Sequence, residues 1–282
     1  MDSLGHTPTA TSNHRSRVTF REIIGGRMRI SVFGNSDTTG MLLAPGARVW
    51  PALLEERLRE SVSGPVVVDS WRFAPYRPGA VRHALDLVKN AQPDVVVLTL
   101  ASYWCAFGTV RASVEQRFGR RAAMLYSRGE HAYSRHVEGD VQPGKPGRMI
   151  GRRLARRLAG TGTVMSFPQF VDVYASLIRE LSQQEQLQVV VLGDHHYTPY
   201  IHRMIPSLAG AIVGIEHAIR PLVAERELCW GDLEQAISAG GRREEMILSD
   251  GVHMTEEAHE RVASTLLPVF EEIGRASWRE RV

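Results

Sequence analysis

Met28-Arg29-Ile30-Ser31-Val32-Phe33-Gly34-Asn35-Ser36-Asp37 is the stretch that decides the fold. Met28 to Phe33 is an apolar, strand-like run, Gly34-Asn35 is a turn signal, and Ser36 is left at the end of the strand. Sites in open parallel sheets form outside the carboxyl ends of strands, so a serine at this point has chemical meaning. A serine hydroxyl is a weak nucleophile at neutral pH. It needs an imidazole as base, and the imidazole needs a carboxylate to fix its tautomer and stabilise its charged form. Far along the chain, Asp250-Gly251-Val252-His253 offers both groups just before a helical pattern.

Between these two segments the chain alternates short β-branched runs with amphipathic stretches, the pattern of a parallel sheet covered by helices on both faces. A helix starting near Pro51 carries Trp50, Leu53, Leu54 and Leu58 on one face, and Val66 to Asp69 reads as the second strand. After the turn at Pro78-Gly79, Val81, Leu85 and Val88 share a helix face. Asp94 to Leu100 is nearly all apolar, as expected in the buried middle of a parallel sheet. A helix is expected from about Thr109, with Val110, Val114 and Phe118 four apart, while residues 129–165 show no periodicity and read as irregular. Phe170, Val173, Tyr174, Leu177, Ile178 and Leu181 mark a long helix leading into the strand Gln188 to Leu192. A helix near 212–226, a short strand around Leu228 to Trp230 and a last helix through Ala258, Val262, Leu266 and Val269 complete the series.

The chain has 282 residues and 43% hydrophobic content, enough for one sizeable core, and no linker interrupts the pattern after residue 28. Residues 1–27 are polar and lack the apolar core of a signal peptide, so they read as a disordered leader and the protein as cytoplasmic. Residues 273–282 continue no clear apolar face and read as an appended tail, which leaves 28–272 as the domain. No segment reads as long and apolar enough to span a membrane. Two cysteines, Cys105 and Cys229, make no disulfide framework and no paired-cysteine metal spacing. The 34 basic and 31 acidic residues nearly cancel to +3, and the excess sits mainly in the arginine-rich segment Arg148 to Arg157. That segment reads as a solvated helix face or as a grip for an anionic ligand, and nothing else points to nucleic acid.

The ordered set Phe33-Gly34-Asn35-Ser36, then Gly79, then a segment after a strand at residue 101, then Asp250-Gly251-Val252-His253 resembles the SGNH or GDSL hydrolase superfamily over roughly residues 28–272. The resemblance implies a three-layer α/β/α sandwich with a mainly parallel, flavodoxin-like sheet. It also implies an esterase or acyl hydrolase that needs no metal or cofactor and acts on a small ester or acylated substrate through an acyl-serine. It makes Ser36 the nucleophile, His253 the base and Asp250 its partner, with the amides of Ser36 and Gly79 as oxyanion donors. Two positions depart from the family's pattern. Asn35 stands where an acidic residue is usual, and Ala101-Ser102-Tyr103-Trp104 stands where Gly-x-Asn-Asp is typical, so the asparagine donor is missing. Losing one such donor costs on the order of 100- to 1000-fold in turnover. Either Ser102 or Tyr103 supplies a hydroxyl in its place, or the site is slow, or it serves acyl transfer or binding instead.

Asp194-His195-His196, with His202 nearby, has metal-binding residue types, but adjacent histidines after a strand diverge and no further ligand is indicated. His195 and His196 are therefore read with Trp104 and Phe107 as lining for a substrate pocket, the two aromatics being equally suited to the core.

Overall fold

The structure is a computed structural model and describes residues 27–44, 46–62, 64–137, 162–239 and 242–279. In chain order its elements are β1 (Met28–Gly34), α1 (Ser36–Thr39), α2 (Trp50–Ser61), β2 (Val66–Arg72), α3 (Ala80–Ala91), β3 (Val95–Thr99), α4 (Tyr103–Ala106) and β4 (Gly108–Thr109). They are followed by α5 (Val110–Val137), β5 (Gly162–Thr163), α6 (Phe167–Ser182), β6 (Gln188–Leu192), α7 (Pro199–Met204) and α8 (Ser207–Glu225). Last come β7 (Cys229–Gly231), α9 (Leu233–Ser238) and α10 (Glu256–Arg279).

Five strands form one sheet in the order β2-β1-β3-β6-β7, and every neighbouring pair is parallel. The chain steps from β1 outward to β2 and then returns to the other side of β1 with β3. This reversal splays the connections apart and leaves a crevice at the carboxyl ends of β1 and β3. Ser36 leaves β1 there, and the segment Ala101 to Trp104 leaves β3 beside it.

The two-residue period of the strands sorts their side chains between two cores. Ile30, Val32, Val95, Val97, Val190 and Leu192 face Trp50, Leu54 and Leu58 of α2 and Ala258, Val262 and Phe270 of α10. Phe33, Val96, Leu98, Val189 and Val191 face α3, α6 and α8, where Val88, Phe170, Ile178 and Ile219 are buried. The result is the expected α/β/α sandwich. α2 and α10 are further tied by polar contacts: the Trp50 amide donates to His259 Nδ1 at 3.3 Å, and Arg57 pairs with Glu260. This pairing fixes the start of α10, and with it the loop that bears His253.

Several expectations are corrected. α5 continues through residues 129–137, expected to be irregular, and bends at Gly119, whose φ is 82°. Its sequence carries no apolar stripe there, so it has a helix without the signal of one. Phe118, placed on an apolar face by its spacing, is 67% exposed. α8 has the length and composition of a membrane span, contrary to the sequence reading. Leu208, Ile212, Ile215, Ile219 and Val223 of that helix are nevertheless buried at spacings of three and four, the pattern of a helix packed on one side. α10 runs on to Arg279, past the boundary expected at 272, and Ile273 packs against the first core. Residues 1–26 and the Arg148 to Arg157 segment lie outside the described residues.

Candidate active site

Gly34 ends β1 because nothing larger fits. A Cβ on it would stand 2.1 Å from Thr38 Cγ2 and 2.8 Å from Thr99 Oγ1. Asn35 then caps α1, its Oδ1 accepting the Asp37 amide at 2.9 Å, while Thr38 Oγ1 donates to the Asn35 carbonyl at 2.8 Å. An asparagine caps a helix as well as an aspartate does, so the departure at position 35 leaves the turn intact. Ser36 is the first residue of the helix, half-buried at the head of the crevice.

The loop before α10 brings its two groups to this serine. His253 Nε2 lies 2.9 Å from Ser36 Oγ, and His253 Nδ1 lies 2.5 Å from Asp250 Oδ2. Asp250 Oδ1 accepts the amides of Val252 at 3.0 Å and His253 at 3.1 Å. Burial works against the Asp250 carboxylate, but the hydrogen bonds from His253 and these amides outweigh it and hold its pKa below the ordinary value. The ionised Asp250 accepts a hydrogen bond from Nδ1–H, which leaves the Nε2 lone pair to accept one from the Ser36 hydroxyl. Gly251, at φ 78°, makes the turn; a Cβ there would stand 2.6 Å from Thr198 Oγ1 and 2.7 Å from Ile201 Cγ1. The chain leaves the loop through the bond from the Leu248 amide to the His253 carbonyl, 2.7 Å.

The remaining expected residues separate. Ser102 is fully buried, and both its amide and its hydroxyl donate to Asp194 Oδ2, at 2.8 and 2.5 Å. Its hydroxyl is therefore already used. Tyr103 is half-buried with its ring 4.5 Å from Trp104 and 6.2 Å from Phe107. No described residue hydrogen-bonds its hydroxyl, and burial and the charge of Asp194 push its pKa above the usual phenol range, so it stays a donor. Tyr103, Phe107 and Val252, next to His253, pack against one small apolar cluster with Tyr197 and Ile201. Trp104 leans on the second core. Gly79 opens α3 with φ 75° and is exposed.

His195 does not line an open pocket. It is 2% exposed and turned towards Asp37, its Nε2 3.5 Å from Asp37 Oδ2. Three residues past the end of β6, it lies beside the turn that bears Ser36 and is closed off by Tyr197, whose ring is 5.0 Å away. His196 is half-buried, gives its amide to Glu234 at 2.9 Å and stands 5.9 Å, ring to ring, from His202. Among the described residues no group of three or more His, Cys, Asp or Glu gathers as a metal site, and both cysteines are free. Asp37 was not singled out by the sequence reading, because an acidic residue in the first turn of a helix looks like an ordinary partner of the helix dipole.

No protein-family model matches the chain, and no curated protein matches it. Solved structures do. The lipase/acylhydrolase from Enterococcus faecalis superposes with a TM-score of 0.54 at 13% identity, over 87% of this chain and 96% of that one. The TesA crystal structure gives 0.53 at 16% identity over 87% and 99%. A member of the lipolytic protein G-D-S-L family from Veillonella parvula gives 0.51 at 12% identity over 86% and 98%. The class defined by the sheet order and the crevice is a doubly wound α/β protein. Within it, the particular fold is the one this chain shares with the lipase/acylhydrolase and lipolytic G-D-S-L structures.

Proposed function

We propose that the protein is a serine hydrolase that cleaves a carboxylic ester of a small molecule through an acyl-serine intermediate. The observation that carries this reading is the unbroken hydrogen-bonded series from Ser36 Oγ through His253 to Asp250, at 2.9 and 2.5 Å. It stands at the crevice where sites form in such sheets. The naming of the structural neighbours as a lipase/acylhydrolase and a lipolytic protein agrees with it.

In this reading Ser36 Oγ attacks the ester carbonyl as His253 Nε2 takes its proton, and Asp250 stabilises the imidazolium. The oxyanion meets the amides of Ser36 and Gly79 and, in place of the missing asparagine, the Tyr103 hydroxyl, since that of Ser102 is committed to Asp194. The imidazolium returns its proton to the leaving alcohol. Water then attacks the acyl-serine with His253 as base, restoring Ser36. The test is hydrolysis of p-nitrophenyl acetate by the wild type and Ser36→Ala. Turnover is expected to fall to background in the variant; unchanged turnover overturns the reading.

A further inference from the structure

Three buried groups behind Ser36 take no part in this chemistry. Asp37, Asp194 and His195 are 8%, 2% and 2% exposed. Asp37 Oδ1 accepts the amide of Met254, the residue after His253, at 3.3 Å. Its Oδ2 faces His195 Nε2 at 3.5 Å, a contact longer than a good hydrogen bond but close for an ion pair. The other ring nitrogen, Nδ1, lies 3.1 Å from the His196 carbonyl oxygen. A carbonyl only accepts, so Nδ1 carries a proton. A neutral ring would then turn its Nε2 lone pair onto a carboxylate, acceptor against acceptor in a buried place where Nε2 has no other partner among the described residues. A second proton on Nε2 removes that conflict and makes the pair ionic. Behind the ring, Asp194 holds the amide and hydroxyl of Ser102, the residue before Tyr103.

We propose that Asp37 and His195 are positioning residues: their buried ion pair locks the turn bearing Ser36 to the loop bearing His253 and, through Asp194, to the segment bearing Tyr103. The proposal rests on the assignment of Ser36 and His253 as the reacting pair. Its physical basis is that the groups arise from the carboxyl ends of β1, β3 and β6 and from the loop before α10, and among the described residues no backbone ladder joins that loop to the strands at this point. A displacement of about 1 Å between nucleophile and base costs on the order of 100-fold.

The charge state of His195 gives the proposal a readout that packing alone would not supply. Burial works against the imidazolium, but Asp37 and then Asp194 outweigh it and raise its pKa to about 9. His259, facing the same group from α10, is pushed by burial down to about 4 and is neutral there. Tyr197, from the same segment as His195, is also neutral, its pKa well above the usual range through burial. The pair is thus intact at neutral pH and is lost as pH rises through about 9.

The experiment measures kcat and KM for p-nitrophenyl acetate in wild type, His195→Gln and Asp37→Asn from neutral to alkaline pH. The rate with Ser36→Ala is subtracted, and folding is followed by circular dichroism. Wild-type kcat is expected to fall as pH rises through about 9. Both variants are expected to have kcat about 10- to 100-fold lower at neutral pH with KM nearly unchanged, and to lack the fall near 9. Folded variants with wild-type kcat, variants that retain the alkaline fall, or a wild-type kcat that stays level through that range each overturn the proposal. Should neither variant fold, the wild-type profile decides. A Ser36→Ala rate equal to wild type would instead remove the assignment of the nucleophile, an outcome distinct from any of these.

Discussion

Two hydroxyls stand side by side after β3, and their surroundings separate them. Ser102 Oγ is spent on a buried carboxylate, while the Tyr103 hydroxyl has no partner among the described residues and cannot ionise at neutral pH. A protonated donor on the apolar cluster that also takes Val252, the neighbour of His253, is suited to a developing oxyanion. Tyr103→Phe should accordingly lower kcat on p-nitrophenyl acetate by about 100-fold with little change in KM, since the donor acts on charge that exists only in the transition state. An unchanged kcat would show that the backbone amides suffice. Removing the neighbouring hydroxyl has a different meaning: Ser102 is a structural partner of Asp194. Asn35 belongs with it, keeping by its cap what the usual acidic residue would otherwise provide.

Among the elements, those with a strong period were legible from the sequence and those without one were not. β3 and β6 are continuous apolar runs, and α2 and α6 carry full apolar stripes, so burial on the sheet follows from spacing alone. The latter half of α5 has no stripe to read and α7 and α9 are six residues each, whereas α8 was legible from about 212 and only its start at Ser207 was missed. The tie between α2 and α10 was also hidden, because it joins Trp50 and His259 across 209 positions. That tie has a signature in acid. Burial holds His259 neutral down to about 4, against an ordinary value of 6.5, although Asp37 and Glu256 favour its charged form and His195 opposes it. Below about 6.5 the unfolded chain takes up a proton that the folded protein refuses, so stability is complete above that pH and drains as pH falls towards 4. His259→Gln, whose carbonyl can still accept the Trp50 amide, should show a smaller loss of Tm than wild type across this window. Equal losses in thermal melts would contradict the assignment.

For the molecule as a whole, the sheet order creates the site. Placing β1 between β2 and β3 opens a crevice where three segments far apart in sequence converge, and the sequence announced two of them through Ser36 and the Asp250 to His253 spacing. What it could not announce is the buried Asp37, His195 and Asp194 array beneath, because a histidine after a strand looks the same whether it faces a pocket or an ion partner. In the proposed function this convergence activates Ser36. Reaction with a fluorophosphonate probe, followed by mass spectrometry of the labelled peptide, tests it before any substrate is chosen. Stoichiometric labelling is expected at Ser36, lost in Ser36→Ala and strongly slowed in His253→Ala. Absence of labelling in folded wild-type protein, or a label placed on another residue, would contradict it.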